Sequence, residues 1–109
     1  MIVNELADAI HTQAKANGFH DLPRRLPEKL MLASSELGEA FEEWRKDPSV
    51  EIGAYYEVDG KPEGWATEIV DCIIVCLDIL ASEGIEVDYI LGKKMEFNMT
   101  RERLHGKGI

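Results

Sequence analysis

Between Ile69 and Ala81 only Asp71 and Asp78 interrupt a run of apolar residues. Wound into a helix, this run points apolar side chains almost all round its axis. A helix of that kind must be buried on nearly every side. The chain has 109 residues, about one domain, so all its elements share a single core. Such a core is too small to wrap the run completely, and the sequence therefore predicts that a second copy of the chain covers the remainder. The run is also too short, and too interrupted by charge, to span a bilayer.

The elements around it follow from periodicity. Val3, Leu6, Ala7, Ile10 and Ala14 repeat at helical spacing and predict a first helix from Val3 to Asn17, closed by Gly18. The stretch FHDLPRRLP, with two prolines, reads as a loop. A second helix is predicted from Pro27 to Lys46, with Leu30, Ala33, Leu37, Ala40, Phe41 and Trp44 as its buried stripe and Asp47-Pro48 as its stop. The third spans Trp65 to Ser82 before Gly84, and the fourth Asp88, as N-cap, to Leu104. The polar segment from Asp47 to Gly64 fits either a short hairpin or a loop. The chain thus reads as one all-α domain over residues 1–109, a four-helix bundle completed by homo-oligomerisation.

Charge narrows the function. Acidic residues outnumber basic ones by 21 to 12, giving a net charge of −9. That field repels nucleic-acid backbones, so no nucleic-acid polymer is expected as a partner. It repels free nucleotides too, so a phosphate-bearing substrate requires cations supplied at the site. Cys72 and Cys76, four apart in the apolar run, read as reduced thiols packed as small hydrophobes. The amphipathic, acidic start MIVNELADAI has no signal-peptide character. The expectation is a cytoplasmic protein with no membrane partner.

Glu36, Glu39 and Glu43 fall within a sector about 60° wide on the second helix, bordering the Leu37/Ala40 stripe. Glu42 points away, where Lys46 is within i, i+4 reach. Glu68 and Asp71 repeat the i, i+3 spacing where the apolar run begins. One such pair alone is adequately explained as a solvated helix face. Two pairs edging buried stripes, if they face each other, gather about four negative charges that must protonate or bind cations. All-oxygen ligation suits Mg²⁺, which leaves positions for substrate phosphates. On the fourth helix Lys94, Asn98 and Arg101 share one face with His105. They suit phosphate oxygens, though a basic solvated face is an equal alternative. Asp78, two turns beyond Asp71, reads as a hydrogen-bonding or ion-pairing group at a subunit interface. Phe19, Trp44 and Trp65 are either core or base-stacking residues.

Glu36-x-x-Glu39, Glu68-x-x-Asp71, Lys94-Met-Glu-Phe-Asn98-Met-Thr-Arg101 and the closing His105-Gly106-Lys107 together resemble the MazG-like branch of the all-α nucleotide pyrophosphohydrolases. Gly60-Lys61-Pro62-Glu63-Gly64 is similar to a phrase of that branch as well. The resemblance covers the second to fourth helices, while the 40–67 spacer is long for the family. It implies hydrolysis of the α–β phosphoanhydride of a nucleoside triphosphate to monophosphate and pyrophosphate. Glu36, Glu39, Glu68 and Asp71 would hold Mg²⁺, with Mn²⁺ able to substitute, and Lys94, Asn98 and Arg101 would hold phosphates. Glu39 or Glu43 would help take the proton from water, and the assembly would be a homodimer or dimer of dimers. Phosphoribosyl-ATP as substrate, a non-catalytic metal-binding helical dimerisation module, and a di-iron bundle using Glu102-x-x-His105 are the alternatives.

Overall fold

A computed structural model describes residues 2–101 as α1 (Val3–Ala16), α2 (Leu26–Lys46), β1 (Tyr56–Val58), β2 (Lys61–Glu63), α3 (Trp65–Ser82) and α4 (Val87–Met99). The apolar run lies in α3, which is the central element: α2 packs along it on one side and α1 on another, while α4 packs mainly against α1. Ala7, Leu77 and Val87 form the buried centre, with Val3, Ile10, Leu80 and Ala81 against it. Among the described residues no helix is long and apolar enough to cross a membrane.

Local chemistry explains the boundaries. Gly18, at φ +84°, ends α1 in a Schellman motif: its N–H donates to Lys15 O (3.0 Å) and that of Phe19 to Ala14 O (2.9 Å). Pro27 lies in the first turn of α2, and Asp47 is extended before Pro48. Asp88 is not the N-cap of α4, which begins at Val87. Its carboxylate instead accepts the Val3 N–H (2.8 Å), capping α1, and Asn4 Oδ1 accepts the Asp88 N–H (3.1 Å) in return. The fourth helix also stops short of the expected Leu104. The Thr100 and Arg101 N–H groups turn back to Phe97 O and Asn98 O, and the Thr100 hydroxyl competes for Phe97 O at 2.7 Å. Residues 102–109, including Glu102 and His105, lie outside the described residues.

The protein is mostly helical rather than all-α. The segment open between hairpin and loop contains an antiparallel hairpin, Tyr56 opposite Glu63 and Val58 opposite Lys61. Asp59 and Gly60 turn it with φ of 51° and 80°, the left-handed pair that a two-residue I′ turn needs. The loop before the hairpin folds under the start of α3. Gly53 O and Ala54 O accept the N–H groups of Trp65 (3.2 Å) and Ala66 (3.0 Å), two of the helix's four orphan donors. The indole N–H of Trp65 donates to Ser49 O at 3.3 Å, so this residue anchors the loop.

The stripe of α2 departs from expectation. Only Ala33 and Ala40 are buried, while Leu30, Leu37, Phe41 and Trp44 stay exposed because α3 covers just the alanine edge. On α3, Ile69, Val70, Ile73 and Ile74 are exposed as well, and so is Cys76. One chain exposes 8233 Å², where a folded monomer of 12.3 kDa exposes about 6,100 Å².

Gly64 shows how tightly the loop meets α3. Its φ is +108°, and a Cβ there would lie 2.4 Å from Ala54 O. Gly64→Ala is expected to cost at least about 1–3 kcal/mol from backbone strain alone. A melting temperature within error of wild type would show that the loop does not clamp the helix.

Candidate metal centre

Glu36 and Glu39 stand one turn apart on α2, and Glu68 stands in the first turn of α3. Each offers a carboxylate oxygen, and these oxygens lie within 4.8 Å of one another. Close approach is possible because the seam between the helices is lined by Ala33 and Ala40. The Cys72 thiol, on α3, reaches Ala33 O at 3.4 Å. Glu39 is the exposed member, whereas Glu36 and Glu68 are half-buried. Glu68 Oε2 is buried and has no hydrogen-bond partner.

The electrostatics follow from this crowding. Burial, then the charge of Asp71, then the Glu39 carboxyl push Glu68 up to about 7. Glu36 is raised by burial first and by the charges of Glu39 and Asp71 next. Asp71, one turn after Glu68, thus acts on both, although it stands outside the tight group of three. It lines a groove of about 500 Å³ between the hairpin and α3, together with Tyr55, Lys61, Pro62 and Thr67. A carboxylate cluster in which Glu36 and Glu68 resist ionisation when bare, and one oxygen has no partner, fits a hard divalent cation.

The other predicted residues are placed differently. Glu43 accepts from Lys46 Nζ at 2.7 Å and from the Tyr56 hydroxyl at 2.8 Å, and these two partners hold its carboxyl below the usual range. It ties the hairpin to α2. Glu42 accordingly pairs with Arg45 at 3.3 Å rather than with Lys46. Lys94 Nζ and Arg101 Cζ lie 5.5 and 5.6 Å from the centroid of the same Phe97 ring. Asn98 Oδ1 is buried without a partner. Lys94 lines an apolar cavity with Leu77 and Leu80, in the C-terminal half of α3, whereas the carboxylates sit at its N-terminal end. A single chain therefore does not gather the acids and the residues expected to bind phosphate in one constellation. Asp78 has two partners within its own chain, His11 and His20. Phe19 is stacked beneath Arg24 at 4.5 Å, and Trp44 stacks on Phe41.

Lys61 and Tyr56 were not among the residues singled out for chemistry. The local signal for them was the Asp59-Gly60 turn, which sets the hairpin across from α2. Compared with protein-family models, with curated proteins and with solved structures, the chain finds no match.

The raised Glu68 has a thermodynamic consequence. Between about pH 4.5 and about 7 its folded state retains a proton that the unfolded chain has lost. Stability of the metal-free protein from this group is thus fully present below about pH 4.5 and lost as pH rises through 7. In EDTA, Glu68→Gln is expected to remove this part of the decline, of the order of 2 kcal/mol. Denaturant melts of both proteins at pH 5 and pH 8 measure it. An equal decline in the variant would mean that Glu68 ionises normally.

Proposed function

We propose that this chain is a Mg²⁺-dependent nucleoside triphosphate pyrophosphohydrolase of the MazG-like kind, acting as a homodimer or dimer of dimers. The observation that carries the reading is the convergence of Glu36, Glu39 and Glu68 at the α2–α3 seam, with Asp71 beside them and one buried oxygen unpartnered. Glu36, Glu39, Glu68 and Asp71 would hold the ion, with Mn²⁺ as a substitute. Bound there, the cation offsets phosphate charge and lowers the pKa of water.

The chain's own groups divide the remaining work. Glu39 is exposed at the edge of the cluster and open to a water molecule, so it serves as the proton acceptor. Glu43, held low by Lys46 and Tyr56, is a weaker base and positions the hairpin instead. The groove beside Asp71, walled by Tyr55, Lys61 and Pro62, is the place for the base and sugar. Lys94, Asn98 and Arg101 bind phosphates by reaching a neighbouring copy's carboxylates. Two facts support that arrangement: the packing of α4 on α1, and the excess surface of roughly 2,100 Å² over a folded monomer. The substrate class places the protein in the cytoplasm, in upkeep of the nucleotide pool.

Hydrolysis of a panel of canonical and modified NTPs and dNTPs by the full chain with Mg²⁺ is expected to release pyrophosphate and monophosphate. Lys94→Ala should lower kcat/KM by about 10²–10³-fold while leaving Mg²⁺-induced stabilisation intact. Stoichiometric orthophosphate with a diphosphate product would refute the reaction. Metal binding without turnover would leave a non-catalytic helical module.

A further inference from the structure

The Schellman turn at Gly18 reverses the chain after α1 and returns His20 over α3. His11 lies on α1 one turn beyond Ala7, which is buried against α3. Both imidazoles meet one carboxylate. His11 Nδ1 is 2.7 Å from Asp78 Oδ1, and His20 Nε2 is 2.8 Å from Oδ2 and 3.0 Å from Oδ1. The two rings stand edge to face, 4.7 Å between centroids. Asp78 is 4% exposed and is the one buried charged residue among those described. The imidazoles are each about one-fifth exposed, which leaves a path from solvent.

We propose that His11, His20 and Asp78 form a transition-metal site of the Zn²⁺ class, separate from the carboxylate centre. Two imidazole nitrogens and a carboxylate oxygen are a borderline donor set, suited to Zn²⁺, Co²⁺ or Ni²⁺ and unsuited to Mg²⁺. The three ligand atoms already lie within 4.8 Å of one another. Around a tetrahedral ion with bonds of about 2.0–2.1 Å, neighbouring donors stand about 3.3 Å apart. The 2.7–3.0 Å contacts of each imidazole with Asp78 need open by only about half an ångström, a shift within side-chain reach.

Binding requires His11 Nδ1 and His20 Nε2 to be free of a proton. In each neutral ring the proton then sits on the other nitrogen, Nε2 of His11 and Nδ1 of His20. Asp78 ligates through one oxygen. The fourth position opens towards the cavity of about 310 Å³ that Asp78 lines with Ile10, Phe19 and Ile74. Seven residues of helix, about 10 Å, separate Asp78 from Asp71, too far for one ion to serve both clusters. The ion staples α1 and the following loop to α3, the helix that also carries Glu68 and Asp71. The chain thus sorts two kinds of cation by donor chemistry alone.

The test is a titration of the chelator-stripped full chain with Co²⁺, in excess Mg²⁺ to keep the carboxylates occupied. One equivalent is expected to give the intense visible bands of a four- or five-coordinate ion, displaced by stoichiometric Zn²⁺. His20→Gln and Asp78→Asn should weaken binding more than about 100-fold, beyond what loss of a supporting partner costs. Glu39→Gln should leave the bands unchanged. Should a variant fail to fold, nitrogen NMR of the wild-type imidazoles decides: Zn²⁺ must shift Nδ1 of His11 and Nε2 of His20. A weak octahedral spectrum, bands lost with Glu39→Gln in place of the histidine variant, or unshifted imidazoles would overturn the site.

Discussion

Like charges brought together at the α2–α3 seam are the constraint that the rest of this structure answers to. Glu36, Glu39 and Glu68 crowd their carboxylates into one small volume, and Asp71 adds its field from the next turn. Burial disfavours the ionised forms of Glu36 and Glu68, and the neighbouring carboxylates disfavour them further. Among the described residues no cation pairs with these carboxylates: Lys46 is engaged with Glu43, and Lys61 with Glu63. A seam that concentrates acids without pairing them loses stability when empty, and the proposed divalent ion would restore it. Such a trade is common where a site is kept for function rather than for the fold.

Small residues make the crowding geometrically possible. Ala33 and Ala40 are the buried points of α2, and with bulkier side chains there the helices would stand too far apart for three carboxylates to meet. The loop and hairpin then fix where α3 begins, and with it the height of Glu68. Gly64 permits the approach to Ala54, Trp65 hooks the loop to Ser49, and Tyr56 ties the hairpin to Glu43. The same economy of small residues leaves the large apolar groups of α2 and α3 facing outward. A second copy of the chain is the partner proposed to cover them.

Much of this was legible in the sequence because it is written at helical spacing. Three helices end within a residue or so of where periodicity, Gly18, Pro48 and Gly84 put them, and the acids of the candidate metal centre were readable as two i, i+3 pairs. What could not be read depends on contacts between distant segments. Asp88 looks like an N-cap for its own helix, yet it caps α1, because the turn after Gly84 lays it beside Val3. Phe41 and Trp44 have the right period for a core, but period does not say whether the covering surface belongs to the same chain. His11, His20 and Asp78 share no local spacing at all. They meet only because the Gly18 turn reverses the chain and α1 packs along α3. Asp59-Gly60 is the residue pair a two-residue turn favours, but without alternation on either side the Asp47–Gly64 segment reads equally as a hairpin or a loop.

The central claim is that the seam trades stability for a cation, and Glu39→Gln tests it with one charge removed at nearly constant shape. Thermal melts of wild type and variant are compared in EDTA and in millimolar Mg²⁺. In EDTA the variant should melt higher, because one repelling charge is gone. In Mg²⁺ the order should reverse, since an ion at about 100 times its dissociation constant stabilises the native wild type by about 2.7 kcal/mol. A variant that melts lower than wild type in EDTA, or that gains as much from Mg²⁺, would contradict the account.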